Sequence, residues 1–353
     1  MKSRNQLLDI IKGIMIIFII ITHFNFTYPN EYRKYGFFFW IDMAVPVFMI
    51  ISGYLYAMSF LNKNVNSYSY AYSSEIVIPK LLRFTVPYVF VLVVEICCIF
   101  WKGNTSIIEI IKMVLRGGNG PGSYYFPIMI QLIFIFPIIY FIIKKYDLFG
   151  AVLCFIFTAF WELVQYSWEM DGFSYAIIIL RYISIIGFGC YIAIGKIKLS
   201  KAILIIMFVV GVAWQIKLNY FDFKPVFMNY SWARVNYIPV LFVMAIMYIV
   251  IKKFYDSKIK ILLFQELGKA SFDIYLVQKV FYGYGCANLV YSSIESRKIQ
   301  LLICILVCVV LGYTFYLIEN KITNKLIDFA KKNKYFKDFF YQIINFCNHK
   351  LEK

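Results

Sequence analysis

Histidine is almost absent from this chain: His23 and His349 are the only two in 353 residues. Eight cysteines occur, but none forms a C-x-x-C pair and no histidine lies near one at metal-ligand spacing. A zinc or redox motif therefore has no ligand set to build on, and no metal is expected. All cysteines except Cys347 lie in or beside apolar runs and read as small apolar fillers, so no disulfide framework follows. Acidic residues are also few, 19 against 36 Lys and Arg, for a net charge of +17. Such an excess would suit nucleic acid if it formed a basic patch on a soluble surface. Here the cations sit in short stretches between apolar runs, which excludes that partner. No small-residue cleavage site follows the first apolar run, so it is read as a retained helix and not a signal peptide. No internal repeat is visible, and matched broken helices of an inverted-repeat transporter are missing with it.

Apolar sequence is what the chain has in quantity. Hydrophobic residues make up 62% and mean hydropathy is +0.72, against about 45–50% apolar in a soluble domain. They come in blocks, not in amphipathic stripes. The expected fold is an all-α, polytopic membrane bundle of about ten transmembrane helices. The expected spans are 7–26, 36–60, 81–101, 127–143, 148–166, 174–194, 200–217, 236–251, 272–291 and 299–318. Placing the N-terminus inside puts 24 of the 36 cations in inner segments and ten in outer ones. That asymmetry predicts a multi-pass protein of the cell membrane with both termini cytoplasmic. Residues 1–320 form the expected membrane domain. Residues 321–353 form a basic, aromatic tail, read as an interfacial helix drawn to anionic membrane lipid. Between the third and fourth runs lies Gly117-Gly118-Asn119-Gly120-Pro121-Gly122. It cannot be regular helix, and is either an exposed loop or a segment folded back into a cavity.

Charge inside a span is costly, so each instance marks a candidate site. In the first helix Lys12 and His23 are eleven residues apart, close to three full turns, which puts them on one face roughly 16 Å apart along the axis. Asp9 precedes Lys12 by three residues and can pair with it. One stripe thus carries a carboxylate, an ammonium and an imidazole, and should line a cavity. Imidazole can accept and release a proton near neutral pH. Asp42, at similar depth before Pro46 of the second helix, is a candidate to orient or charge-stabilise His23. Ser52-Gly53 farther along that helix allows close approach of a neighbour. Lys80 and Arg83 share a face at the inner end of the third helix, where two cations suit a polyanionic ligand or serve as ordinary inner-side anchors. Glu95, Glu162, Arg181, Asp273 and Lys279 complete the intramembrane charges.

These elements together resemble the acyltransferase 3 family of integral-membrane acyltransferases, from about Arg4 to Asn320. The first helix has the start Leu8-Asp9-Ile10-Ile11-Lys12 and the Lys12-x10-His23 spacing. The second carries Pro46-Val47-Phe48-Met49-Ile50-Ile51-Ser52-Gly53-Tyr54-Leu55, with Met49 where the family has Phe. The third has Lys80, Arg83, Pro87 and Tyr88. The ninth resembles a Ser-x-x-Ile-Tyr-Leu-x-His element through Ser271, Ile274, Tyr275 and Leu276, but Gln278 stands at the histidine position. The family's His-Leu-Trp near the fourth helix is replaced by Ser123-Tyr124-Tyr125-Phe126-Pro127.

The resemblance implies transfer of an acyl group, usually acetyl, from cytoplasmic acyl-CoA to a hydroxyl of a cell-surface polysaccharide or its lipid-linked precursor. His23 would be the base, with Asp42 beside it, or a transient acyl carrier. Lys12, Lys80 and Arg83 would hold the donor, acetyl-CoA. Asp9, Ser52, Tyr125, Arg181, Asp273, Tyr275 and Gln278 are the expected substrate-binding residues. The other reading is a non-enzymatic exporter or flippase of glycan or lipid on the same scaffold, for which the abundant aromatics would form a sugar-stacking conduit.

Overall fold

The computed structural model describes residues 5–333, apart from 102, 104, 105, 222, 224, 226–234 and 255–258. The described residues form helices and connecting loops. In order they are α1 (Gln6–Thr22), α2 (Asn30–Tyr35), α3 (Ala44–Asn62), α4 (Tyr68–Ala71), α5 (Ser74–Trp101) and α6 (Ile107–Leu115). Then come α7 (Tyr125–Tyr146), α8 (Leu148–Ser167), α9 (Gly172–Ile177), α10 (Ile183–Ile194) and α11 (Lys201–Tyr220). The last are α12 (Leu241–Phe254), α13 (Leu262–Lys269), α14 (Ser271–Gly283), α15 (Cys286–Ser293) and α16 (Arg297–Lys332).

Among the described residues six helical stretches are long and apolar enough to cross a membrane: Phe37–Asn62, Tyr68–Trp101, Tyr125–Tyr146, Leu148–Ser167, Lys201–Tyr220 and Arg297–Lys332. The chain is a multi-pass, all-helical membrane protein. The other four expected spans fall on shorter or interrupted helices. The run 7–26 is α1, whose 17 residues end at Thr22. The run 174–194 breaks at Ile178, an extended residue between α9 and a 3-10 turn over Ile179–Tyr182. The run 236–251 opens with a 3-10 turn at Ile238–Val240 before α12. The run 272–291 breaks between α14 and α15, where Gly285 takes a φ of +83°. The expected tail begins inside α16, which continues unbroken to Lys332, and residues 334–353 lie outside those described.

Two helix pairs pack by reciprocal glycines. A Cβ on Gly53 of α3 would stand 2.1 Å from Ile186 O of α10, and one on Gly189 of α10 2.1 Å from Ile50 O of α3. Gly13 of α1 and Gly268 of α13 make the same exchange with Phe264 O, at 2.1 Å, and Asp9 O, at 1.9 Å. With lipid on the outside, such close backbone approach and its dispersion contacts supply what solvent exclusion cannot. The neighbour expected at Ser52-Gly53 is thus α10. Gly53→Val places methyls on a backbone carbonyl, so the purified protein should aggregate at a clearly lower temperature in a detergent melting assay. An unchanged midpoint would contradict this packing.

On one loop, Glu31 of α2 accepts the Thr27 N–H at 2.6 Å and pairs with Arg297 of α16 at 2.9 Å. The Thr27 backbone bond, aided by the guanidinium, holds the Glu31 carboxyl below its usual range. The contact ties the start of α16 to the loop that follows His23.

Candidate active site

A cavity of about 1050 Å³ runs between α1, α3, α5, α14 and α16 and along the 120–125 loop. Lys12 and His23 both border it, so the stripe expected on α1 faces the interior and spans roughly 16 Å of its depth. At the Lys12 end Asp9 binds the ammonium at 2.8 Å. Gly268 packs on Asp9 O, which brings Lys269 to the same level, paired to Glu266 at 2.6 Å. Arg83 borders the cavity, and among the described residues no carboxylate lies within ion-pair distance of it. The neighbouring Phe84 meets Phe272 at 5.1 Å and closes α5 onto α14. Asp273, Tyr316, Glu319, Asn320 and Thr323 supply more of this wall.

His23 caps the C-terminus of α1, its N–H donating to Ile20 O at 3.3 Å. Asp42, Tyr124 and Tyr125 share the cavity wall with it. Tyr125 meets Tyr275 edge-on at 5.1 Å, and the Tyr275 hydroxyl donates to Gly122 O at 2.9 Å. A Cβ on Gly122, whose φ is +84°, would lie 3.6 Å from His23 Nε2 and 3.3 Å from the Tyr275 ring. The missing side chain therefore keeps a methyl-sized space beside the imidazole nitrogen. Of the two arrangements open for the glycine-rich segment, the structure has the folded-back one.

The expected site residues divide into two groups. Lys12, His23, Asp42, Ser52, Arg83, Tyr125, Asp273 and Tyr275 border one cavity. Asp9, Lys80, Arg181 and Gln278 do not. Asp9 acts on the wall through Lys12. The Lys80 ammonium lies over the Tyr56 and Phe60 rings at 3.9 and 4.5 Å, a cation–π seat on a ring, Tyr56, that borders the cavity although Lys80 does not. Arg181 is 1% exposed and its guanidinium stands over Tyr124, Tyr175 and Tyr182, at 5.1, 5.3 and 4.5 Å. Tyr124 and Tyr182 come between it and the cavity they line. Gln278 is buried, with its amide nitrogen 3.5 Å from Pro121 O.

A model of the acyltransferase domain matches residues 5–318. The chain belongs to the acyltransferase 3 family. No curated protein and no solved structure matches it. The matched stretch of this acyltransferase runs from the cap of α1 into α16 and takes in nearly the whole cavity wall. The departures at Gln278 and at Ser123-Tyr124-Tyr125 fall at the His23 end. Gln278 faces the glycine-rich segment, and Ser123, Tyr124 and Tyr125 line the cavity.

Several wall residues escaped the sequence reading. Glu319, Asn320, Thr323 and Asn324 lie where the membrane domain was expected to end, because hydropathy falls off there while the helix does not. The sequence marks Glu95 and Lys279 as charges in separate spans without joining them. They form a fully buried ion pair at 3.1 Å. Opposite charges in two apolar runs were the available signal. A second buried network, Glu162 accepting from the Tyr175 hydroxyl at 2.8 Å and Tyr175 accepting from Asn236 at 3.0 Å, crosslinks α8, α9 and the start of the α12 segment.

Proposed function

We propose that this protein moves an acyl group, acetyl in the first instance, from acyl-CoA to a hydroxyl of a cell-surface polysaccharide or its lipid-linked precursor. The observation that supports the reading is one cavity bordered by Lys12, Arg83 and Lys269 toward one end and His23 toward the other. Coenzyme A carries phosphates, which cations bind through charge-assisted hydrogen bonds. The pantetheine arm would carry the thioester along the cavity toward the imidazole. His23 Nε2 or Nδ1 would take the acceptor hydroxyl proton as that oxygen attacks the thioester carbonyl. The carbon–sulfur bond then breaks, and the His23 imidazolium returns the proton to the departing coenzyme A thiolate, giving the ester, free coenzyme A thiol and neutral imidazole. Asp42 would favour the imidazolium through its charge. Both chain ends would face the cytoplasm, where the donor is made.

Membranes containing the protein, incubated with radiolabelled acetyl-CoA, should pass label to surface glycan. NMR of glycan from a deletion strain should lack the acetyl signals of the wild type. Glycan retained inside the cell, with the exported fraction chemically unchanged, would favour the exporter reading. Arg83→Ala should raise KM for acetyl-CoA at least about tenfold, the scale of one charge-assisted hydrogen bond, with kcat little altered. Unchanged KM would remove Arg83 from the donor site.

A further inference from the structure

The segment 117–122 could not cover His23 by its own sequence. Four of its residues, Gly117, Gly118, Gly120 and Gly122, hold positive φ, at +82°, +99°, +110° and +84°. Such a stretch has little local preference and must be held from outside. The holding groups are Glu95 of α5 and Lys279 of α14. Lys279 Nζ donates to Gly117 O at 2.8 Å and pairs with Glu95 at 3.1 Å, while Glu95 accepts the Asn119 N–H at 3.2 Å. A Cβ on Gly118 would lie 2.1 Å from Lys279 Nζ and 2.3 Å from Glu95 Oε2, so the backbone is threaded directly against the pair. Gly120 packs just as closely on Lys279 O, at 2.4 Å from its would-be Cβ. One helical turn before Lys279, Tyr275 holds the other end of the segment through Gly122 O.

Burying two charges costs more than their attraction returns unless the remaining polar valences are used. Here the segment supplies two of them, the Asn119 amide to Glu95 Oε1 and the Gly117 carbonyl to Lys279 Nζ, while Glu95 Oε2 has no hydrogen-bond partner among the described residues. A pair kept only to join α5 and α14 would not need backbone ligands from a third element. We infer that Glu95 and Lys279 are positioning residues: their ion pair clamps the 117–122 segment over His23 and fixes the space beside Nε2 in which the acceptor reacts. The inference rests on the reading of His23 as the base.

Two variants separate positioning from packing. Lys279→Met strands the Glu95 carboxylate and should destabilise the protein. In the double variant Glu95→Leu/Lys279→Met an apolar pair replaces the ionic one, so thermal stability should return toward wild type while both backbone anchors stay lost. With acetyl-CoA as donor, the double variant should show kcat lowered about 10²-fold, the scale of a 1 Å misplacement, and KM for acetyl-CoA within about twofold. A second readout needs no acyl transfer. In a His349→Ala background, diethyl pyrocarbonate should modify His23 several-fold faster in the double variant than in the parent. Recovery of kcat together with slow His23 modification would overturn the inference, since the pair would then be packing alone. If the parent transfers no acetyl group, the proposed function fails. The modification rate still decides the clamp: faster labelling supports it, unchanged labelling refutes it.

Discussion

Alanine at His23 is expected to lower acyl transfer about 10²–10⁴-fold, the usual contribution of a positioned general base. The fold should tolerate the change. His23 sits at the end of α1, where its backbone N–H bonds Ile20 O whatever side chain follows. Its ring borders the cavity, so its removal enlarges a space already open and empties no packed core. The loss should fall on kcat, with KM for acetyl-CoA nearly unchanged, because the cations near Lys12 lie roughly 16 Å away along the helix. Arg83→Ala should give the opposite division. Membrane insertion, read by membrane yield and melting temperature, should match wild type. A His23→Ala protein that acetylates glycan at the full rate would end the assignment of the base.

Lys279→Met should be the most damaging single substitution for stability, at about 3–5 kcal/mol, the cost of leaving one member of a buried pair uncompensated. Neither Lys279 nor Glu95 side chain has any exposed surface, so water cannot take the lost partner's place. Gly117 O loses its donor at the same time. Heating the detergent-solubilised variant beside wild type checks this, and coincident melting curves would refute it. Glu95→Leu alone should be similarly harmful, as it strands the ammonium. The double apolar substitution should recover much of the loss. That non-additivity is the signature of a coupled pair.

The residues legible in the sequence were those whose geometry is fixed within one helix. Lys12 and His23 share a face because helical periodicity demands it, and Asp9 pairs with Lys12 three residues on. All ten apolar runs fall on helical segments, since lipid requires the backbone to satisfy itself. What hydropathy could not register is backbone continuity: the breaks at Ile178 and at Tyr284-Gly285 leave the apolar runs intact. Nor could it pair residues across the bundle. Lys80 shares a helix face with Arg83, yet it stands over the rings of Tyr56 and Phe60 and does not border the cavity as Arg83 does. The place of the glycine-rich segment depends on Glu95 and Lys279, 184 residues apart in sequence, and no local pattern announces such a contact.

Helix α16 has 36 residues, or about 54 Å of length, against roughly 30 Å of hydrocarbon in a bilayer. Even when tilted it must stand well clear of the lipid tails. Glu319, Asn320, Thr323 and Asn324, which border the cavity, lie beyond its apolar portion. The cavity therefore has part of its wall on the polar stretch of α16, past the residues apolar enough to sit among lipid tails. A nucleotide carrying several negative charges could dock there without leaving water, and only its slender, uncharged arm would have to enter the low-dielectric interior.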